Sequence, residues 1–260
     1  MKYGFIGCGN MGGALIRALS KTTKDIMVSD FDKTKLEAIT SELGIIASDN
    51  RTIALECDRV FLGVKPQVMS EMLSEIKKDL NAKKPILISM AAGLKISKIK
   101  ELAGDLPVIR IMPNTPVNVG KGMVLYCYDG VEQSIVDDFV ADMKHGGRFD
   151  KIDEALIDAA CSVSGCGPAF VYVFANALAQ GGQQCGLSYS KAIEYAATTM
   201  AGAAEMLLTS NKSPEELTDN VCSKGGSTIE GVNVLKNSEF EKIVADCVKA
   251  SYKRNLELGN

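Results

Sequence analysis

The 260-residue chain reads as α/β: a doubly wound, mostly parallel sheet at its N-terminal end, followed by an all-α C-terminal domain. Three observations predict this. A glycine run, Gly7-Cys8-Gly9-Asn10-Met11-Gly12, stands between a short apolar stretch and a helical one. Short apolar segments then alternate with segments of helical period. From Glu154 onward that alternation stops and the pattern is helical. Repeated βα alternation builds a mostly parallel sheet with helices on both faces. The expected division is a Rossmann-type dinucleotide-binding domain over 1–152 and an all-helical domain over 153–260.

The elements follow in order. Tyr3 to Ile6 is the first strand, and a helix runs from Met11 to Ser20. Between them, Gly7 permits a tight turn, Gly9 lets the backbone approach an anion, and Gly12 lets helix pack on strand. The N–H groups of the first helical turn then face a phosphate. Ile26 to Ser29 is a second strand. Thr34 to Leu43 repeats Leu36, Ile39 and Leu43 at helical spacing, with Gly44 as its C-cap. Ile45 to Ala47 is a third strand and Asn50 to Glu56 a short helix. Arg59 to Val64 is a fourth strand. Val68 to Leu80 is a helix with Met69, Met72, Leu73 and Ile76 on one face. Pro85 to Met90 and Val108 to Met112 are the fifth and sixth strands.

In such a sheet ligands bind at the carboxyl ends of the strands. There the fourth strand runs into Gly63-Val64-Lys65-Pro66-Gln67 and the fifth into Ser89-Met90-Ala91-Ala92-Gly93. The sixth runs into Met112-Pro113-Asn114-Thr115-Pro116, a loop stiffened by two prolines. Asp30 ends the second strand about 20 residues past the glycines, where an acid takes the ribose 2′-OH of NAD and repels a 2′-phosphate. Lys33 and Lys35 follow closely and can neutralise such a phosphate, so NADH and NADPH both stay open.

The second domain starts with a helix over Ala155 to Ser164. The next, Pro168 to Gly186, contains no charged residue. A helix apolar nearly all round is buried on all sides, and about a hundred residues cannot bury it alone. Small residues recur along the following helix, at Ala192, Ala196, Ala197 and Ala201 to Ala204. A second subunit is therefore expected to cover these helices, giving a homodimer or higher homo-oligomer. Asn176, Gln180, Gln183 and Gln184 argue against a membrane span. Ser213-Pro214-Glu215-Glu216 and Ser238 with Glu241 read as capping boxes. Between them, Ser223-Lys224-Gly225-Gly226-Ser227-Thr228 is a second glycine turn opening onto a helix, hence a second anion cradle.

The formal net charge of -3 and the lack of basic–aromatic interleaving point away from nucleic acid. Eight scattered cysteines without a CxxC pair, and no secretory leader, predict free thiols and a cytoplasmic location. Cys161 and Cys166, the nearest pair, read as small core residues, and no metal set is expected. The single histidine, His145, lies between a helix pattern and a strand pattern and reads as a helix C-terminal cation. One cradle for a dinucleotide and another for a small anion suggest a reductase acting on a carboxylate.

The chain resembles the pyrroline-5-carboxylate reductase family over essentially its whole length. The resemblance is carried by Pro214, Leu217, Val221, Cys222, Ser223, Gly225, Gly226, Thr228, Gly231, Val232 and Leu235. Further motifs stand in family order: Val64-Lys65-Pro66, Ser89 to Gly93, Ile109-Arg110-Ile111-Met112-Pro113-Asn114 and Ser164-Gly165-Cys166-Gly167-Pro168-Ala169. The chain departs from the family at Lys224, commonly proline, and at Cys166, commonly serine. Asp30 also departs, standing where many members take the 2′-phosphate.

The resemblance implies hydride transfer from NADPH or NADH to the C=N bond of 1-pyrroline-5-carboxylate, giving L-proline. It places Ile6, Gly7, Cys8, Gly9, Asn10, Met11 and Gly12 at the pyrophosphate. Asn50, Val64, Lys65, Pro66 and Ala91 fall along the rest of the cofactor, and Asn220 on its nicotinamide side; Asp30 joins the cofactor residues by its place at the end of the second strand. Gly226, Ser227 and Thr228 would hold the substrate carboxylate, with the Thr228 hydroxyl on the ring nitrogen and Glu154 nearby. A cyclic imine can bring its proton from water, so this chemistry needs no histidine acid. Two other readings stay open. A 3-hydroxyacid-type dehydrogenase would need a lysine base on the long helix, which has none. A non-catalytic dinucleotide sensor would not need Thr228 or the second cradle.

Overall fold

The computed structural model describes residues 1–258 and divides into two compact units, Met1–Cys166 with the C-terminal segment from Ser251, and Gly167–Ala250. In chain order the first contains β1 (Tyr3–Ile6), α1 (Asn10–Leu19), β2 (Ile26–Ser29), α2 (Lys33–Leu43) and β3 (Ile46–Ala47). It continues with α3 (Asn50–Glu56), β4 (Arg59–Leu62), α4 (Pro66–Lys83), β5 (Ile86–Ser89) and α5 (Ile96–Ala103). Then come β6 (Val108–Met112), β7 (Gly122–Asp129), α6 (Gln133–Asp142), β8 (Gly147–Lys151) and α7 (Ile157–Ser164). The strands form one sheet in the order β3-β2-β1-β4-β5-β6-β7-β8. Every neighbouring pair is parallel except β6 and β7.

Strand alternation explains why helices cover both faces. Ile6, Val60, Leu62 and Leu87 turn to one side, where they meet Ile53 of α3, Met69 and Leu73 of α4 and Ile99 of α5. Phe5, Val28, Phe61 and Ile88 turn to the other, against Leu15 and Ile16 of α1, Leu36 of α2 and Phe139 of α6. Phe5 and Phe61 stack with ring centroids 4.0 Å apart across the β1–β4 pair. All of these apolar side chains are buried, so successive residues of one strand stabilise two separate cores.

Helix α5 and strand β7 are not among the elements read from the sequence, and α6 and β8 entered only as the helix and strand patterns on either side of His145. For β7 the physical reason lies in the connection after β6: only a short 3-10 turn, Thr115–Val119, intervenes before β7 returns antiparallel, so the βα alternation that marks the other strands ends there. The fourth strand stops at Leu62, short of Val64: Gly63 still donates its N–H to the Ile6 carbonyl at 2.8 Å, but β1 ends there and Gly7 turns away at φ 104°. The first compact unit runs past 152, because Ile157 and Cys161 of α7 enter the core beside β6 and β7. Asn255 then ties α7 down, donating 3.1 Å hydrogen bonds to Asp158 and Ser162.

Two arginines are wholly buried in this unit. Arg59 Nη1 bonds the Tyr3 hydroxyl and lies 3.2 Å from Asp142, while Nη2 donates to the Ile135 carbonyl at 3.0 Å. Burial, reinforced by Asp142, pushes the Tyr3 phenol well above its usual value. The Arg110 guanidinium sits 3.1 Å from Glu154 and 3.4 Å from Asp158.

The second unit is built from α8 (Gly167–Gln184), α9 (Tyr189–Thr209), α10 (Pro214–Val221), α11 (Ser227–Lys236) and most of α12 (Phe240–Leu258). Helices α8 and α9 meet through small residues: Ala175, Ala179, Ala192 and Ala196 are buried. A methyl added at Gly182 would lie 3.2 Å from Ala192 Cβ. The large apolar side chains go elsewhere. Val173, Leu208 and Val234 are about 70% exposed, at 71%, 71% and 70%. The helical stretch Glu154–Gln184 has mean hydropathy 1.4 with 17% of its apolar window buried, so by length and composition it is long and apolar enough to cross a membrane. The polar residues noted in the sequence do not bring it below that measure.

The Ser213 capping box forms, with Glu216 returning to the Ser213 N–H at 2.7 Å. The one expected at Ser238 does not. Helix α12 starts at Phe240, which puts Glu241 at its second position, and Ser238 Oγ accepts from the Phe240 N–H instead.

Two predictions follow from local structure. Lys84 caps α4 at φ 57°, ψ 52°, a left-handed conformation that costs a side-chain-bearing residue about 1–2 kcal/mol. Lys84→Gly should raise stability by about 1 kcal/mol in urea unfolding, less the extra entropy glycine loses. Burial, with Asp30 second in importance, pushes the Cys8 thiol up to about 12. Burial likewise takes Cys57 to about 12 and Cys127 and Cys161 to about 11. These four thiols should resist iodoacetamide at pH 8 until the chain unfolds. Their stabilising share is complete below the ordinary thiol value and fades as pH rises toward the shifted ones.

Candidate active site

The first cradle is set by backbone contact. Gly7 takes φ 104°, and a Cβ there would lie 2.7 Å from the Gly63 carbonyl oxygen. A Cβ on Gly12 would collide with the Gly7 carbonyl oxygen. The turns after β1 and β4 therefore touch through glycine, and α1 presses on the first. Gly9, the N-cap of α1, has open space where a side chain would stand. The leading N–H groups of α1 have no partner within their own helix and face that space. Gly63 is the glycine of this site whose part the sequence did not disclose. Its signal was a glycine directly after an apolar strand.

The other residues expected at the cofactor gather on the same rim. Asp30 follows β2, Asn50 begins α3, Val64 and Lys65 follow β4 with Pro66 as first residue of α4, and Ala91 follows β5. Ser29 donates to Asn50 Oδ1 at 2.6 Å, fixing the start of α3 against β2. Asp30 accepts from the Cys8 N–H inside the glycine run. A cavity of about 550 Å³ opens here, lined by Asp30, Phe31, Lys33, Asn50 and Arg51 among others. Phe31 is wholly exposed at its lip. A second cavity of about 360 Å³ borders Cys8, Gly9, Asn10 and Lys35.

Asn114 and Glu154 are held within the first unit. Asn114 donates to the Ser164 carbonyl and accepts from the Met123 N–H, both at 2.9 Å, so it clamps the proline-bracketed loop. Glu154, which the resemblance puts beside the substrate, has Oε1 engaged by the Ile96 N–H at 2.7 Å and by Arg110. In this structure that oxygen caps α5 and neutralises a buried guanidinium. The sequence signal for Arg110 was a charge inside the apolar strand Val108–Met112.

The second cradle belongs to the second unit. Asn220 lies in the last turn of α10. The chain then turns with the Gly226 N–H bonded to the Ser223 carbonyl at 3.0 Å and Gly225 at φ 73°. A Cβ on Gly226 would collide with Ser223 Oγ. Gly226 is the N-cap of α11, Ser227 and Thr228 its first residues. Thr228 lines a mostly apolar cavity of about 370 Å³ together with Met206, Leu217 and Val221. Among the described residues no group of three metal-ligating side chains occurs.

One unit thus carries a nucleotide-type cradle on a doubly wound sheet, and the other a helical anion cradle beside an exposed apolar surface. Family models match both: "Pyrroline-5-carboxylate reductase dimerisation" over residues 154–258 and "NADP oxidoreductase coenzyme F420-dependent" over residues 2–93. The chain is 34% identical to pyrroline-5-carboxylate reductase of Arabidopsis thaliana, over 99% of this chain and 95% of that one. It is 35% identical to that of Aquifex aeolicus, over 99% and 97%. Its structure superposes on Plasmodium falciparum pyrroline carboxylate reductase, solved with NADP bound, with TM-score 0.89 and 30% identity over 100% of this chain and 98% of that one. The chain belongs to the pyrroline-5-carboxylate reductase family, and its C-terminal part is a dimerisation domain.

The turn explains one departure from the family. A hydrogen-bonded turn with positive φ only at its third residue is of type II, where the second residue prefers proline. Lys224 occupies that second position. Lys224→Pro should keep the fold and raise stability by about 0.5–1 kcal/mol in urea unfolding.

Proposed function

We propose that the chain reduces the C=N bond of 1-pyrroline-5-carboxylate with NADPH or NADH, giving L-proline, as a step of proline biosynthesis in the cytoplasm. The observation that carries this reading is the 34–35% identity to reductases of that name along 99% of the chain. Eight free cysteines support the location. The family's dimerisation part and the exposed apolar helices support a homodimer or higher homo-oligomer. The formal net charge of -3 supports a chain without a nucleic-acid partner, and a partner subunit rather than a membrane is our reading of what covers the apolar helices.

The first cradle fits a dinucleotide, because glycine leaves room at position 9 and backbone contact excludes a side chain at 7 and 12. Gly7, Cys8, Gly9, Asn10, Met11 and Gly12, entered from Ile6, would hold the pyrophosphate. Asp30, Asn50, Val64, Lys65, Pro66 and Ala91 would hold the remainder, with Asn220 on the nicotinamide side. When bound, the reduced nicotinamide supplies the hydride.

The chain's own residues do the rest. The N–H groups of Gly226, Ser227 and Thr228 hold the substrate carboxylate at the start of α11. The Thr228 hydroxyl would bond the ring nitrogen and so fix the orientation of the C=N group. Such fixed alignment of donor and acceptor contributes several kcal/mol, about 7–11 at most. Backbone dipoles held in place need no reorganisation during reaction. The imine brings its proton from water, so His145 takes no part.

Thr228→Ala should lower kcat on the pyrroline substrate at least tenfold while leaving the dinucleotide dissociation constant within about twofold. Unchanged turnover would remove Thr228 from the proposed role and leave the reduction to be explained by other residues.

A further inference from the structure

The carboxyl end of β2 carries an acid that the backbone has already fixed in place. Asp30 Oδ2 accepts the Cys8 N–H at 2.6 Å, from inside the glycine run. Its Oδ1 accepts the Asp32 N–H at 2.8 Å, from the turn that leads into α2. One carboxylate thus joins the glycine turn, which borders the smaller rim cavity, to the turn into α2, which borders the larger. A carboxylate offers about four acceptor positions, so each oxygen can still accept from a hydroxyl. It has no donor to offer a phosphate.

The charges around it add no surplus of positive sign. Asp30, Asp49 and Glu75 line the cavity against Lys33 and Arg51. Arg51 Nε is bound to Asp79 at 2.9 Å. Lys33 Nζ reaches the Asp30 carbonyl at 3.4 Å. Lys35, the other cation the sequence offered, is paired with Asp32 at 3.0 Å and borders the second cavity. A 2′-phosphate brings about -1.5 to -2 charge at neutral pH. It would meet a fixed anion and basic groups already engaged by oxygen atoms of this chain. A ribose hydroxyl meets an acceptor already aimed by two backbone N–H groups.

We infer that Asp30 makes this chain select NADH over NADPH, and that its bonds to Cys8 and Asp32 hold the carboxylate where it does so. The inference rests on the reading of the chain as an NAD(P)H-dependent reductase. The Plasmodium falciparum relative was solved with NADP bound, so the selection belongs to residues of this chain and not to the fold.

The test pairs binding with turnover on the intact protein. Calorimetry would compare ADP-ribose with 2′-phospho-ADP-ribose, and initial rates on the pyrroline substrate would compare NADH with NADPH. The unmodified chain should bind ADP-ribose at least tenfold more tightly and show a kcat/KM ratio of at least ten in favour of NADH. Asp30→Ser should lower both preferences at least tenfold, and Asp30→Asn should lower them in the same direction. Asn keeps a carbonyl acceptor for one N–H, so it is the variant to read if the serine form does not fold. A variant that weakens both ligands equally, leaving the ratios unchanged, would reduce Asp30 to a brace of the glycine turn and overturn the inference. Equal use of the two cofactors by the unmodified chain would also overturn it, with the reductase reading intact. No turnover with either cofactor would sink the reductase reading, while the two ADP-ribose affinities would still decide the part of Asp30.

Discussion

The first unit depends on a place where three pieces of backbone touch without side chains between them. Gly7 leaves β1 at φ 104°, Gly63 leaves β4 against it, and Gly12 of α1 rests on the Gly7 carbonyl. The strand order reverses between β1 and β4, the point at which a doubly wound sheet opens a crevice. A side chain at position 7 or 12 would force apart the turns and the helix that bring the α1 N-terminus to the open space at Gly9. Packing and binding therefore set the same requirement at the same residues.

Around that contact, charge is placed where burial makes it expensive unless answered. Arg59 and Arg110 are wholly buried, and each guanidinium has a carboxylate within hydrogen-bonding reach. Their Nε atoms have no partner, so the network is not complete. Removing one member of such a pair costs far more than the pair contributes over an apolar replacement. The pairs also connect distant segments: Arg59 ties β4 to the end of α6, and Arg110 ties β6 to the residues that open the C-terminal helices. Asp30 works the same way on a smaller scale, one carboxylate joining two turns.

The second unit reverses the usual division of labour between large and small side chains. Alanines and a glycine make the contact between α8 and α9, while valines, leucines and tyrosines stay exposed in the single chain. Close backbone approach of two helices leaves their larger residues pointing away, and apolar surface of that extent marks an interaction face. The membership of this part in a dimerisation family accounts for that face.

Much of this was legible beforehand because it is local. The glycine run, Gly44 as a left-handed cap at φ 62°, the Ser213 box and the first six strands each follow from a few neighbouring residues. So does the uncharged helix, since periodicity and charge need no partner to be read. Strand β7 was hidden because its antiparallel return breaks the repeat. The committed state of Glu154 and Asn114 was hidden because their partners lie far along the chain. The sequence by itself determined the fold class, the two cradles and the family. Tertiary structure alone decided which side chains are free to meet a ligand and which are spent on holding the frame, because a hydrogen bond between distant segments exists only once the sheet has brought them within three ångströms.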